Sequence, residues 1–224
     1  MADADDTVLQ NRWFPAAAAT DAIPRHVVQA QLLGQEIALW RDDAGLVNAW
    51  ENRCPHRGVR LSIGHNMGNE LRCQYHGWRY ASGSGQCTYI PAHPGQKPAN
   101  VIKTKPYGVT ERYGFVWVNL GEDADVAEVP ALGLNAFTTL RSIYVAAPAA
   151  AVTGRLEGQG FAPAGDYTLE GNGTTLLIQP MDGGQTIVHG LAAGEAEGAE
   201  RLALLRRHNE LLTEVRDAAE REAA

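Results

Sequence analysis

The sequence is short of cysteine, of long apolar runs and of clustered positive charge, and each shortage excludes something. There are three cysteines in 224 residues. An odd, small number argues against a disulfide-stapled scaffold and for metal chemistry in a reducing compartment. No stretch reaches the roughly 18 uncharged apolar residues of a spanning helix. The start, MADADDTVLQNRW, is acidic where a secretory leader would be cationic and then apolar. Residues 1–121 carry 12 Lys/Arg against 10 Asp/Glu, and residues 122–224 carry 7 against 16, a formal +2 followed by −9. No polyanion-binding face follows from that distribution, so neither nucleic acid nor a membrane is an expected partner. Internal repeats and low-complexity segments are missing too. The expectation is a soluble, cytoplasmic protein whose 45% hydrophobic content is ordinary for a chain that buries a real core.

What is present divides the chain. HVVQAQLL, QEIALWRDD and LVNAWENR are short alternating runs separated by Gly34 and by the Asp43-Ala44-Gly45 turn. RYASGSGQCTYI, VIKTKPYGVTE and YGFVWVNL continue the β pattern after residue 78. This predicts an all-β unit over 11–120, preceded by a flexible N-terminus at 1–10. GEDADVAEVPALGLNA, residues 121–136, is acidic and aperiodic and reads as a linker. Over 137–224 strand candidates (RSIYVAAP, DYTLEGNG, TTLLIQP, QTIVHGLA) surround a short helix at AAAVTGRLEG and precede a long one. In the tail Leu204, His208, Leu211, Val215 and Ala218 recur at three- and four-residue steps, the pattern of an amphipathic helix.

Two of the scarce cysteines fall in one segment, CPHRGVRLSIGHNMGNELRCQYHGW, residues 54–78. Its arms are Cys54-x-His56 and, sixteen residues later, Cys73-x-x-His76. Four such ligands on two loops can hold zinc or an iron–sulfur cluster. Zinc modules usually keep like ligands on one arm. Mixed arms suit a [2Fe–2S] cluster in which one iron takes both cysteines and the other both histidines. Cys87 is left over and reads as a small buried thiol. His26, His65 and His93 read as polar surface or loop residues, and His189 and His208 as packed ones. Arg53, Arg57, Arg60, Arg72 and Arg79 flank the motif, with Glu51 and Glu70 the nearby acids. They are expected to form a positive rim that steers an acidic electron donor.

Cys54-Pro55-His56-Arg57-Gly58 and Cys73-Gln74-Tyr75-His76-Gly77-Trp78 resemble the two cluster loops of Rieske non-haem iron oxygenases. Arg12-Trp13-Phe14-Pro15 and Tyr113-Gly114-Phe115-Val116-Trp117 extend the resemblance over about residues 11–120. It implies a mainly β Rieske domain, an antiparallel β-sandwich with two cluster-binding loops. It also implies a [2Fe–2S] cluster held by Cys54, His56, Cys73 and His76. In respiratory Rieske proteins a disulfide ties the loops together. The corresponding positions here are Val59 and Tyr75, which resembles the oxygenase and soluble-ferredoxin branch.

The family also implies a mononuclear non-haem Fe(II), held by two closely spaced histidines and a carboxylate. Residues 122–224 contain only His189 and His208, nineteen apart. RSIYVAAPAAAV and TTLLIQPMDGGQTIVHGLAA with its following helix resemble the two ends of the catalytic domain, and the middle is missing. The expectation is therefore a small α+β domain, a truncated helix-grip catalytic domain with a long C-terminal helix and no catalytic residue of its own. The Leu204–Val215 face would be an assembly surface.

The function so implied is that of an electron-transfer subunit of an oxygenase complex. It would take electrons from a reductase or ferredoxin and pass them to a mononuclear iron on a partner chain, in a trimer-based hetero-oligomer, for hydroxylation or demethylation. One alternative is a complete small oxygenase with a degenerate site at His189, His208 and a carboxylate such as Asp182. Another is a stand-alone Rieske ferredoxin or redox-sensing binding module.

Overall fold

The computed structural model describes residues 8–122 and 124–223. The flexible N-terminus expected over 1–10 lies outside the described residues as far as residue 7, and 8–10 are helical. The chain divides into two compact units, Met1–Val129 and Pro130–Ala224. No helix among the described residues is long and apolar enough to cross a membrane.

The first unit contains strands β1 (Phe14–Ala18), β2 (Val27–Leu32), β3 (Gln35–Arg41), β4 (Val47–Glu51), β5 (His65–Asn66), β6 (Glu70–Arg72), β7 (Arg79–Ala81), β8 (Cys87–Tyr89), β9 (Gly108–Arg112) and β10 (Phe115–Asn119). They form three antiparallel sheets, β2-β3-β4, β5-β6-β7-β8 and β1-β10-β9. The β2–β3 hairpin turns on Leu33 and Gly34, both at positive φ (47° and 77°), whose twist matches that of the flanking strands. In β3 the run Ile37–Trp40 is buried throughout, the mark of a strand covered on both faces. Trp40 and Trp50 meet edge to face at 5.0 Å and 82°. The same apolar cluster holds Leu61, Leu71, Tyr80 and all three cysteines. The motif's thiols are thus rooted in the core.

One expectation needs correcting. VIKTKPYGVTE reads as one strand, yet only Gly108–Arg112 pairs as β9, and residues 103 and 106 make isolated bridges to Gln86 and Trp50. Pro106 has no N–H to give a ladder. The two arms of the motif are loops, as expected, the second at the tip of the β6–β7 hairpin, and β5 and β6 lie between them.

The second unit comprises β11 (Phe137–Thr139), β12 (Ile143–Val145), α1 (Ala149–Gly158), β13 (Ala162–Gly165), β14 (Thr168–Gly171), β15 (Thr174–Met181), β16 (Gln185–Ala193) and α2 (Gly198–Ala223). The strands make one antiparallel sheet, β11-β16-β15-β14-β13, with β12 also paired to β16. Val152 and Leu156 of α1 and Leu212, Val215 and Ala219 of α2 pack on Val145, Leu176, Ile178 and Val188 of the sheet. The apolar stripe of α2 is therefore turned inward rather than left as an assembly surface. A sheet with one apolar face must cover it, and α2 does so within its own unit.

Candidate metal centre

The two arms of the motif fold as the same turn. In the first, Cys54 N donates to Val59 O at 2.8 Å and Gly58 N to Cys54 O at 2.8 Å. In the second, Cys73 N donates to Trp78 O at 2.8 Å and Gly77 N to Cys73 O at 3.1 Å. Each glycine lies four residues after its cysteine at φ near 70° (71° and 69°), a conformation that a Cβ would strain. One difference remains, since the histidine comes two residues after Cys54 but three after Cys73.

These turns sort the donors by kind. Cys54 and Cys73 are buried, with 3% and 2% of their surface exposed. The His56 and His76 rings lie outward of them, half-buried and exposed respectively, with centroids 4.7 Å apart. Trp78 stacks on His56 at 4.3 Å, nearly parallel at 8°, and Tyr75 lies over His76 at 3.8 Å. The neighbouring Cys73 thiol lowers the Cys54 pKa, and Cys54 in turn raises that of Cys73. Burial opposes the first shift and adds to the second. The Tyr80 hydroxyl and the His56 and Arg57 N–H groups also favour the Cys54 thiolate, while those of Tyr75 and His76 do the same for Cys73. Two sulfurs in a nest of N–H donors beneath two adjacent rings fit a [2Fe–2S] group that takes thiolate on one iron and imidazole on the other.

Around this centre three arginines of the expected positive rim are paired, two of them with one carboxylate. Glu36 on β3 receives Arg60 through two hydrogen bonds, one of 3.0 Å from Nε, and Arg53 at 3.4 Å. The Arg60 bonds hold the Glu36 carboxyl below its ordinary pKa. Arg79 lies 3.8 Å from Glu70 and 4.8 Å from the Tyr89 ring centre. Glu36 is remote from the motif in sequence, so only the fold reveals it. Asn52 braces the base of the first turn, accepting from Ser62 N at 2.7 Å and donating to Ser62 Oγ at 3.0 Å. Sequence reasoning also missed Tyr80, whose Oη is 3.0 Å from Cys54 Sγ. Its place two residues after Trp78, facing inward on β7, was the available signal.

The remaining candidates lie elsewhere. Cys87 is buried on β8 with Sγ 3.8 Å from Tyr89 O, and burial raises its thiol pKa. His26, His65 and His93 are exposed. In the second unit, His189 is buried with Nδ1 2.7 Å from Ser142 Oγ and Nε2 2.8 Å from Gln179 Oε1. His208 donates from Nε2 to Arg141 O at 2.8 Å, and Asp182 accepts from Gly183 N at 2.8 Å. Among the described residues no three His, Cys, Asp or Glu side chains are grouped to hold one metal ion. Both nitrogens of His189 are engaged with uncharged side chains, so its geometry is that of a core histidine.

Residues 12–106 match a family described as the Rieske [2Fe-2S] domain. The chain is 59% identical over 112 residues to the oxidoreductase NdmD of Pseudomonas putida, a match covering 50% of this chain and 19% of that protein. It is 35% identical over 127 residues to the 3-chlorobenzoate-3,4-dioxygenase oxygenase subunit of Comamonas testosteroni, covering 56% of this chain and 29% of that one. The matched segment is thus well under half of either relative. Among solved structures, apo dicamba monooxygenase superposes with a TM-score of 0.78 at 19% identity, covering 96% of this chain and 86% of that one. At that identity the likeness is one of fold, and its coverage takes in the second unit.

Proposed function

From a chain whose residues 12–106 are a Rieske [2Fe-2S] domain of the kind carried by Rieske non-haem iron oxygenases, we propose an electron-transfer subunit of such an oxygenase. In this reading Cys54, His56, Cys73 and His76 are the cluster ligands, and no residue of this chain is catalytic. When bound, a [2Fe–2S] cluster supplies one-electron uptake and release. The chain's own residues hold and shape that site. Buried Cys54 and Cys73 anchor it to the core, their N–H donors offset thiolate charge, and Trp78 and Tyr75 fix the ring planes of His56 and His76. The observation that carries the reading is the outward placement of the two rings, 4.7 Å apart, above two buried thiols. A partner can reach the rings while the protein shields the sulfurs.

The partner chain would carry a mononuclear non-haem Fe(II), and a reductase or ferredoxin would supply electrons, in a trimer-based hetero-oligomer in the cytoplasm. Extensive identity to part of an oxidoreductase supports a relay role. Relatives named as a dioxygenase subunit and as a methylxanthine N1-demethylase support hydroxylation or demethylation as the reaction served. The domain boundaries of this proposal are 11–120 and 137–224, with 121–136 as linker. The chain with its copurifying partners should be isolated and its iron and subunits counted. Two irons per chain, with further iron only in a longer partner, is the expected result. Substrate turnover by the isolated chain, given only reductase and oxygen, sinks the proposal.

A further inference from the structure

The chain contains three lysines, Lys97, Lys103 and Lys105, and all of them fall within nine residues, whereas its arginines are spread along the sequence. All three lysines are exposed. Arg25, Arg41, Arg53, Arg60 and Arg79 of the same unit are ion-paired, but among the described residues no lysine is. The backbone that carries Lys103 and Lys105 is fixed on both sides. Cys87 N donates to Ile102 O and Thr104 N to Gly85 O, each at 2.9 Å, while Glu51 N donates to Lys105 O and Tyr107 N to Ala49 O, each at 2.8 Å. Side chains along this extended segment alternate. Ile102 packs against the apolar cluster that holds Cys54 and Cys73, and Thr104 is buried. Val101, 87% exposed, shares the outward face with Lys103 and Lys105. The loop leading to this segment starts against the second cysteine turn, where a Cβ on Gly77 would lie 3.2 Å from Pro91 Cγ.

We propose that Val101, Lys103 and Lys105, with Lys97 of the preceding loop, form the docking surface for an acidic protein electron donor. The electron-transfer reading supplies the donor, and the surface selects its charge. Lys103 and Lys105 stand two residues apart on a fixed extended backbone, about 7 Å along it, and each presents a mobile ammonium with three N–H donors. Neither has a carboxylate of its own chain to give up before meeting one on a partner. Val101 sets an apolar contact among these charges, which suits a protein surface and serves no purpose in a site for a small anion. A formal charge of −7 on the whole chain repels a polyanion such as nucleic acid or an anionic membrane, whereas three local cations suffice to orient a protein. Through Ile102 the surface backs directly onto the core that roots the cluster's cysteines.

The test couples the full chain, with its cluster in place, to an acidic plant-type [2Fe–2S] ferredoxin by carbodiimide, and follows reduction by the same ferredoxin in stopped flow. Carbodiimide joins carboxylates to amines and leaves arginine untouched, so the amines of this chain that can react are the three lysines and the α-amino group. Adducts are expected at Lys103 and Lys105 and should disappear at high salt. The triple variant Lys97→Gln, Lys103→Gln, Lys105→Gln should be reduced about tenfold more slowly at low ionic strength, and the difference should close as salt screens the charges. Its visible spectrum and midpoint potential should match the parent's. Replacing the same three lysines by arginine should restore the rate and abolish the adducts. Coupling confined to the α-amino group, or equal reduction rates in the glutamine variant and the parent, overturns the proposal and leaves the relay reading standing. Adducts at the lysines without reduction of the cluster would uphold the docking surface and overturn the relay reading instead.

Discussion

The hydroxyl of Tyr80 lies 3.0 Å from Sγ of Cys54, and both side chains are buried. Burial raises the phenol's pKa, so the tyrosine remains a donor and a thiolate at Cys54 accepts. Such a bond strengthens as the sulfur gains negative charge, and reduction of a cluster ligated there adds charge. A difference of about 1 kcal/mol between the two oxidation states corresponds to roughly 40 mV for a one-electron couple. Tyr80→Phe should therefore lower the midpoint potential by that order while preserving the cluster's spectrum. Spectroelectrochemical titration checks it, and an unchanged potential removes Tyr80 from the tuning of the site.

Ligation separates the three cysteines. Cys73→Ser should abolish the Rieske absorption and electron paramagnetic resonance signals. Cys87→Ser, at a buried thiol on β8 outside both turns, should retain them with a modest loss of stability. Zinc bound in place of iron and sulfide after anaerobic reconstitution would contradict the assignment.

The sequence made the donors of the centre legible because they are local. Both arms keep cysteine, histidine and glycine within five residues, and the turn hydrogen bonds depend on little else. Fold class was legible for a similar reason, since short apolar runs bounded by turn residues mark β2 to β4 and β10, and the tail periodicity marks α2. Glu36 was hidden because it reaches Arg53 and Arg60 across 17 and 24 positions, a pairing fixed only when β3 packs beside the first turn. The direction of α2 was misread because periodicity identifies an apolar face but not what covers it. Tyr80 was passed over because nothing local distinguishes a tyrosine that packs from one that also donates to sulfur.

Pairing within the rim changes which arginine should steer an electron donor. Arg57 is exposed on the first turn, whereas Arg60 is paired with Glu36. Arg57→Glu should slow reduction by an acidic ferredoxin and flatten the salt dependence of the rate, since exposed charges act over about 8 Å at physiological ionic strength. Arg60→Gln should change the rate less. Stopped-flow reduction across a salt series distinguishes them, and equal effects would return Arg60 to the steering surface.

His208 should make the second unit sensitive to acid. Burial depresses its folded pKa below the ordinary 6.5, opposed by its bond to Arg141 O. Below pH 6.5 the unfolded chain binds a proton that the folded chain refuses until its own lower pKa is reached. Stability from this group is thus complete above pH 6.5 and falls as pH drops through that window. Urea midpoints between pH 7.5 and 5 should decline less steeply in His208→Gln than in the parent. Parallel slopes would assign the acid sensitivity to other groups.

Gly190 on β16 tests the packing that places this histidine. A Cβ at that position would sit 2.7 Å from Nε2 of His208 and closer still to Cε1. The ring is buried and its bond to Arg141 O at 2.8 Å resists its displacement. Gly190 pairs with Leu176 on the neighbouring strand, which restrains the backbone as well. Overpacking of this kind costs about 1–3 kcal/mol, so Gly190→Ala should lower the denaturant midpoint of the second unit. The rest of the argument lies in the double variant. In a His208→Ala background the added methyl meets open space, and Gly190→Ala should then be nearly neutral, giving a coupling energy close to the whole single-variant cost. Additive effects would show that the glycine is required by its strand rather than by the imidazole beside it.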